Sequence, residues 1–270
     1  MANALDEYWI EQGCVKLNSC NKKLGAATFH SDTIQYVIKT SNNNNFNFCF
    51  LQPTFRPYDS NYGLNHKLQY YYQYQVLIKP FYGTIGKLYI ESLDKIGCSI
   101  SRNSSLTMKR SLWESSTLSA KGAGWECLIN SVEVSQITFF NQICGLRCEI
   151  PTLEITYGLE RIVFATTGKR YISNLTEVSD SFFNLIIYNI LNALKDFKKT
   201  EQSLTFFKNN KYNNKLFLIR NILFNFVYNK LLKLIEIYNQ ISARPLKRVI
   251  LRFLLFRIQR NLKLIIILFK

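Results

Sequence analysis

The sequence has only two histidines among its 270 residues, which excludes a histidine-rich metal centre. It also lacks a run of about 18 uncharged apolar residues, the length that a membrane-spanning helix requires. The longest candidate, residues 181–194, is short and interrupted by asparagines. Residues 1–12 contain acidic side chains and no apolar run, unlike a signal peptide. We therefore expect no contact with a membrane and a cytoplasmic location.

Cysteine and glycine patterns exclude further classes of site. The seven cysteines show no pairing pattern, and Cys144 and Cys148 have no second pair or nearby histidine to complete a zinc site. Reduced thiols are the expectation. The sequence contains neither a GxxxxGKS/T loop nor a GxGxxG element. A bound nucleotide would therefore be held without a P-loop or a Rossmann turn.

Acidic residues are scarce in the last part of the chain. The whole sequence has 34 Lys and Arg against 18 Asp and Glu, a net charge of +16. Residues 1–194 are nearly balanced, with 17 basic and 15 acidic side chains, whereas residues 195–270 have 17 and 3. Such a basic block fits nucleic acid, an acidic partner or a membrane surface. AT-rich codons explain it equally well, so both interpretations stay open.

Alternation of side chains predicts strands in the first part of the chain. Residues 70–79 place tyrosines on one face and the amides of Gln73 and Gln75 on the other, as in a half-buried strand over a polar site. The asparagine-rich residues 41–47 predict a loop. Further strands are predicted at residues 49–52, 125–130, 132–140 and 154–157, and helices at residues 84–97 and 158–167.

From about residue 174 the pattern indicates helices. Residues 215–242 have one narrow polar stripe, so neighbouring elements are expected to cover most of this helix. Residues 246–270 predict a basic amphipathic helix. The sequence therefore predicts an α+β protein, in which residues 1–172 form an antiparallel sheet flanked by helices and residues 173–270 form a basic α-helical domain.

Two arginines stand where predicted strands end. Arg56 lies at the entry of a long loop, and Arg161 lies in the first turn of the helix after Gly158. Arginine is always protonated, and its planar fork binds phosphate oxygens in a fixed geometry. Two arginines can therefore grip a bent triphosphate while a carboxylate attacks the α-phosphorus, a step that needs mainly positioning and charge stabilisation. Gly158 is expected to let the chain turn tightly and a ligand approach the backbone.

Five stretches together form a specific pattern. In order and spacing they resemble the α subunit of the bacterial heterotetrameric glycyl-tRNA synthetase, a class II aminoacyl-tRNA synthetase. The resemblance covers roughly residues 5–171. Its stretches are residues 8–14, 52–57, 68–80, 124–126 with 132–136, and 154–161, and residues 113–118 add a weaker match.

The resemblance implies a fold, a reaction and partners. The fold is a class II synthetase-type antiparallel sheet followed by an α-helical domain. The reaction is glycine + ATP → glycyl-adenylate + pyrophosphate, followed by transfer to tRNA(Gly), with Mg²⁺ bridging the phosphates and no metal site of the protein's own. The family works as an α2β2 tetramer, so we expect an α–α homodimer and a β subunit that supplies most tRNA recognition. The apolar surface of residues 215–242 motivates part of that expectation.

The resemblance also implies roles for single residues. Arg56 matches the arginine on the α-phosphate, and Arg161 the one at the adenine face and γ-phosphate; both are the catalytic candidates. The ATP candidates are Arg56, Asp59, His66, Tyr71, Gly158 and Arg161. The glycine candidates are Thr28, Gln73, Gln75, Trp125, Glu126, Glu133, Gln136, Glu154 and Thr156. Trp125 is expected to form one wall of the glycine pocket. Glu133 and Gln136 point to opposite faces of a regular strand, so both face one site only if a bulge separates them.

Other interpretations stay open at this point. The chain departs from the family at Phe55, where members usually have a second arginine. A second interpretation is a catalytically inactive paralogue that binds a nucleotide or RNA as a regulator. A third interpretation, a basic nucleic-acid-binding protein without enzyme activity, is supported by the C-terminal charge alone. The affinity of such a protein for nucleic acid would fall steeply as the salt concentration rises. Intact Arg56 and Arg161 favour the enzyme. The sequence does not decide whether a β subunit is present, how efficient the chain is, or which carboxylate accepts the glycine ammonium.

Overall fold

An eight-stranded sheet organises the first part of the chain. The computed structural model describes residues 1–39, 45–56, 68, 70–98, 105–167, 216–242 and 248–269. Its strands are β1 (Val15–Lys16), β2 (Phe46–Phe55), β3 (Tyr70–Lys79), β4 (Leu106–Ser115), β5 (Ala120–Ile129), β6 (Val132–Ile143), β7 (Leu146–Arg147) and β8 (Leu153–Gly158). They are ordered β1-β2-β3-β8-β6-β5-β4, with β7 beside β6. All pairs are antiparallel except β1 with β2.

Helices cover both faces of this sheet. They are α1 (Ala2–Glu11), α2 (Ser31–Lys39), α3 (Ile85–Lys95), α4 (Leu159–Thr167), α5 (Leu216–Ser242) and α6 (Arg248–Phe269), and a 3₁₀ turn spans Ala27–Phe29. One apolar cluster joins α1, α3 and α4 to one face of the sheet. A second cluster joins α2, α5 and α6 to the opposite face. The predicted α+β class, with an antiparallel sheet flanked by helices and a helical C-terminal part, is confirmed.

Strand β3 lies at the centre of the sheet, between β2 and β8. The predicted alternation of its faces is confirmed, because Tyr74 and Val76 pack in the first cluster and Leu77 in the second. The prediction that the strand is half-buried is wrong, since every residue from Gln73 to Lys79 is buried. Both its neighbours and the helices on the two faces remove these side chains from water.

Two other strands differ from the prediction. β2 is longer than residues 49–52, because all ten of its residues pair with β3. Phe46 and Asn47, predicted in a loop, therefore begin this strand, while residues 41–44 of that loop lie outside the described residues. β4 was not predicted at all. It is an edge strand with much of its surface exposed, so its sequence shows no alternation of apolar and polar residues.

The predicted helices at residues 84–97, 215–242 and 246–270 are confirmed as α3, α5 and α6. Along α5, Phe224, Tyr228 and Leu231 are fully buried in the cluster that also holds Phe29 and Leu77. The buried apolar residues in the described part of this helix are thus covered by the chain itself, and the subunit contact expected of the helix stays a prediction. No helix in the described ranges is long and apolar enough to span a membrane. The expected domain boundary at residue 172 lies outside the described residues.

Candidate active site

A cavity of about 200 Å³ lies on the sheet face that carries the second apolar cluster. Ten predicted site residues line it: Thr28, Arg56, Tyr71, Gln73, Glu133, Gln136, Glu154, Thr156, Gly158 and Arg161. Strand register explains why the polar side chains meet here. Thr156 of β8 is paired with Gln75 of β3 and with Gln136 of β6, and paired residues of neighbouring strands point to the same face.

A bulge in β6 brings Glu133 and Gln136 to the same cavity. Cys127 of β5 pairs with Ser135, but the next residue, Leu128, pairs with Glu133. One extra residue therefore interrupts the alternation of β6 between these positions. The condition derived from strand parity is confirmed by this bulge.

The two arginines are held at the cavity by different contacts. Arg56 donates from Nε to the carbonyl oxygen of Gly25 at 2.6 Å, and its guanidinium lies 5.7 Å from the centre of the Tyr71 ring. Arg161 donates from Nη1 to Oε2 of Glu133 at 2.9 Å. These contacts fix the orientation of both guanidinium groups beside the cavity that they line.

Gly158 ends β8 directly before α4 and lines the cavity. The described glycines with positive φ do not include Gly158, and a Cβ at this position would make ordinary van der Waals contacts at 3.5 Å. Gly158 therefore does not adopt a left-handed conformation, and both the ease of turning from strand to helix and the close approach of a ligand to this backbone stay predictions. One residue into α4, Glu160 accepts the backbone N–H of Tyr72 with both carboxylate oxygens, at 2.9 and 3.0 Å, and so ties the helix to β3.

The three candidate carboxylates have different surroundings. Glu133 forms the ion pair with Arg161. Glu126 does not line the cavity and accepts a hydrogen bond from Oγ of Ser111 at 2.8 Å. Glu154 lines the cavity and is 2% exposed, and its Oε1 has no hydrogen-bond partner among the described residues. Among the three, Glu154 is therefore the one with a buried carboxylate oxygen that lacks a hydrogen-bond partner in the described part of the chain, whereas Glu126 and Glu133 are each contacted by another side chain.

Burial dominates the chemistry of Glu154. Desolvation raises the pKa of its carboxyl group to about 8, although the neighbouring Thr28 and Gln75 offset part of the rise. Gln75 lies behind the lining residues, where its Oε1 accepts a hydrogen bond from Oγ1 of Thr156 at 2.9 Å. Its Nε2 has no partner within the described part of the chain. Gln73 is committed differently, because its Oε1 accepts the backbone N–H of Ala27 at 2.9 Å.

The structure does not bring Trp125 to the cavity. Trp125 pairs with Ile137, one position along β6 from Gln136, so its side chain lies on the opposite face of the sheet, against Phe139. Trp113 of β4 lines the cavity instead, packed edge-on against Phe140 at 5.5 Å. In the sequence, Trp113 stands out only through a weak family match, and no strand was predicted around it.

Three further lining residues were not predicted: Ala26, Val134 and Ser135. Val134 and Ser135 lie within the bulge of β6, which sequence alternation alone cannot locate. Asp59 and His66, two of the ATP candidates, lie outside the described residues.

Comparison with known proteins gives one match over nearly the whole chain. The family model described as glycyl-tRNA synthetase alpha subunit matches residues 1–265. Among solved structures, the chain is similar to two of pyrrolysyl-tRNA synthetase from Desulfitobacterium hafniense, each at 12% identity over 66% of this chain. The TM-scores are 0.41 and 0.42, over 71% and 72% of those chains.

Proposed function

The chain belongs to the glycyl-tRNA synthetase α-subunit family, and from this premise we propose how its cavity activates glycine. Its activity is that of the catalytic subunit of a glycine–tRNA ligase, a class II aminoacyl-tRNA synthetase that uses ATP. One observation carries the proposal: a single cavity combines Arg56 and Arg161 with the buried, incompletely hydrogen-bonded carboxyl group of Glu154.

Glu154 accepts the ammonium group of glycine in this proposal. An ammonium group needs acceptors, and Oε1 of Glu154 is a buried carboxylate oxygen that accepts no hydrogen bond from any described residue. The bound ammonium places a positive charge beside the buried carboxylate. Each group therefore stabilises the ionised form of the other. Thr28, Gln73, Gln136 and Thr156 surround the same space and can orient the rest of the amino acid.

Selectivity for glycine follows from exclusion, because glycine has no side chain to recognise. Trp113 forms a rigid aromatic wall of the cavity, supported from behind by Phe140. A methyl or hydroxymethyl group on the amino acid would need space that this wall fills. We therefore place the selectivity in Trp113 rather than in Trp125.

The arginines act on the nucleotide. Arg56 binds the α-phosphate, and Arg161 binds the distal phosphates and one face of the adenine. Tyr71, which lies beside Arg56, stacks on the other face of the adenine. A carboxylate oxygen of glycine attacks the α-phosphorus, the new O–P bond forms, and the bond to pyrophosphate breaks. Both guanidinium groups stabilise charge that develops during this step. In the second step a tRNA hydroxyl attacks the glycyl carbonyl and AMP leaves.

Magnesium fits the cavity as a companion of the nucleotide. Mg²⁺ commonly uses one or two protein carboxylates together with substrate phosphates, and the half-exposed Glu133 is the cavity carboxylate able to reach such an ion. Within the described ranges no three metal-ligating side chains come together, so phosphate oxygens and water would complete the coordination. When bound, the ion offsets charge on the departing pyrophosphate.

We also propose the assembly and the location of the chain. The family description names an α subunit, which supports a β subunit as partner, an α2β2 tetramer built on an α–α homodimer, and a need for the β subunit in charging tRNA(Gly). Translation enzymes of this kind work in the cytoplasm. Full-rate aminoacylation by the purified chain alone would contradict the dependence on a β subunit.

Arg161→Ala tests the role of the cavity. Removal of one guanidinium that stabilises the transition state is expected to lower glycine-dependent ATP–pyrophosphate exchange by about 100-fold or more. Arg147→Ala, which removes an exposed arginine from β7, is the matched control and is expected to retain exchange. Normal exchange in an Arg161→Ala variant with an unchanged circular dichroism spectrum would refute the assigned role.

A further inference from the structure

Residues 24–30, which we call the strap, form one side of the cavity. Ala26 and Thr28 line it, and Thr28 lies beside Glu154. The carbonyl oxygen of Gly25 accepts the hydrogen bond from Arg56. The strap thus touches both the proposed glycine position and the arginine assigned to the α-phosphate.

The strap has little regular structure of its own. It contains the single 3₁₀ turn Ala27–Phe29 and one bridge, from Leu24 to Thr54. From the cavity side, Gln73 accepts the N–H of Ala27. Such a segment depends on contacts from outside to keep one geometry, because few hydrogen bonds within it resist displacement.

Helix α5 supplies these contacts from the side away from the cavity. The hydroxyl of Tyr228 donates to the carbonyl oxygen of Phe29 at 2.9 Å. At the other end of the strap, the side chain of Asn239 approaches so closely that a Cβ on Gly25 would lie 2.8 Å from its Nδ2. Leu24 and Phe29 pack in the same apolar cluster as the buried residues of α5.

Tyr228 is itself held rigidly. It is fully buried, and Phe224 stacks on its ring with 5.5 Å between centroids and 10° between planes. Phe269 of α6 meets Phe224 edge-on at 5.4 Å. A buried phenol has few ways to replace a lost hydrogen bond. The Phe29 carbonyl is therefore held by a tyrosine of α5 whose ring stacks on Phe224, which in turn packs against α6.

We propose that Tyr228 is a positioning residue for glycine activation, which holds Phe29 and thereby keeps Thr28 against Glu154 in the glycine position. The inference rests on the proposed function of the cavity. It gives the C-terminal helices a part in glycine affinity, although no described residue of α5 or α6 lines the cavity. The proposed route from the helices to the glycine position runs through the strap.

Tyr228→Phe removes the hydroxyl and keeps the ring, so it tests the hydrogen bond without emptying the core. The KM for glycine in ATP–pyrophosphate exchange is expected to rise about fivefold, with kcat within about twofold of the parent. Tyr238→Phe is the matched control on the same helix: this tyrosine is half-buried, and no hydrogen bond of its hydroxyl is recorded among the described residues. Its kinetic constants are expected to equal those of the parent.

Hydrogen exchange of the strap gives a readout that does not depend on activity. Amides of residues 27–30 are expected to exchange faster in Tyr228→Phe than in Tyr238→Phe, with α1 and β3 unchanged. An unaltered KM for glycine in Tyr228→Phe, with the parent active, would overturn the positioning role. Absence of ATP–pyrophosphate exchange in the parent would instead contradict the proposed function. In that case, unaltered hydrogen-exchange rates of the strap amides in Tyr228→Phe would still refute the holding role of Tyr228.

Discussion

Glu154 shows how the surroundings of one residue select it from three candidates of the same type. The sequence offers Glu126, Glu133 and Glu154 as candidate acceptors for an ammonium group and favours a structural role somewhat for Glu126. In the structure Glu126 accepts a hydrogen bond from Ser111, and Glu133 accepts one from Arg161. A buried oxygen of Glu154 has no partner in the described part of the chain. Because these differences come from strand pairing and helix placement, residue type and spacing could not reveal them.

The affinity for glycine is expected to weaken as the pH falls below about 8. Burial raises the pKa of the Glu154 carboxyl group to about 8, so that at lower pH a proton must leave this group before it can accept the ammonium. The KM for glycine is expected to rise by up to about tenfold for each pH unit below this value. Steady-state exchange between about pH 6 and pH 9 measures this dependence.

The variant Glu154→Gln identifies the group behind that pH dependence. Its KM for glycine is expected to be high at every pH, with the dependence absent. Glu126→Gln, an isosteric change outside the cavity, is the matched control and is expected to behave as the parent. The same pH dependence in Glu154→Gln as in the parent would show that another group titrates.

The sequence could place the two arginines at strand ends, but it could not assign the faces of the two tryptophans. Arg56 and Arg161 were found from the sequence because a strand that runs into a loop or helix leaves its next charged side chain near the sheet edge. Trp125 and Trp113 could not be assigned in this way, because one residue of register decides which face a strand side chain takes. The register became known only with the pairing of β4, β5 and β6.

Strands β5 and β6 approach unusually closely, and glycines make this possible. A Cβ added at Gly124 would overlap the carbonyl oxygen of Ile137, and one at Gly122 would lie 2.5 Å from that of Phe139. Two register shifts occur along the same pair, one of which is the bulge that presents Glu133 and Gln136. Bulges are local exceptions to alternation, so the sequence could state the need for one without fixing its position.

Gly124→Ala is expected to destabilise the fold by about 3 kcal/mol or more, because the backbone of β6 must move to admit the new Cβ. Gly86→Ala is the matched control in α3, where a Cβ would meet nothing within 4 Å. This change is expected to stabilise the protein by up to about 1 kcal/mol through helix propensity. Urea denaturation of the two variants measures both effects, and similar free energies of unfolding for both would contradict the close approach.

At the scale of the whole molecule, the described C-terminal helices share a core with the sheet. The sequence separates a nearly neutral part from a strongly basic one, and we predicted a domain for each. The described C-terminal helices nevertheless share one apolar cluster with β2, β3 and β6. The basic residues Arg252, Arg260 and Lys263 lie on the exposed side of α6. The charge composition predicts this basic outer surface. It does not predict the shared core, because that core depends on contacts between residues far apart in the sequence.

Unfolding of the chain is expected to be one cooperative transition that includes both α5 and the central sheet. Leu231→Ala, in the fully buried part of α5, is expected to lower the free energy of unfolding by about 2–5 kcal/mol. Hydrogen exchange under increasing denaturant reports on α5 and β3 separately, and both are expected to lose protection together. Loss of protection confined to α5 would indicate two independent domains.

The most direct test of the central claim is glycine-dependent ATP–pyrophosphate exchange by the purified chain together with its β subunit. The account predicts exchange with glycine, and rates with alanine and serine that are lower by at least about tenfold, because the Trp113 wall excludes their side chains. No exchange with glycine, or equal rates with all three amino acids, would contradict it.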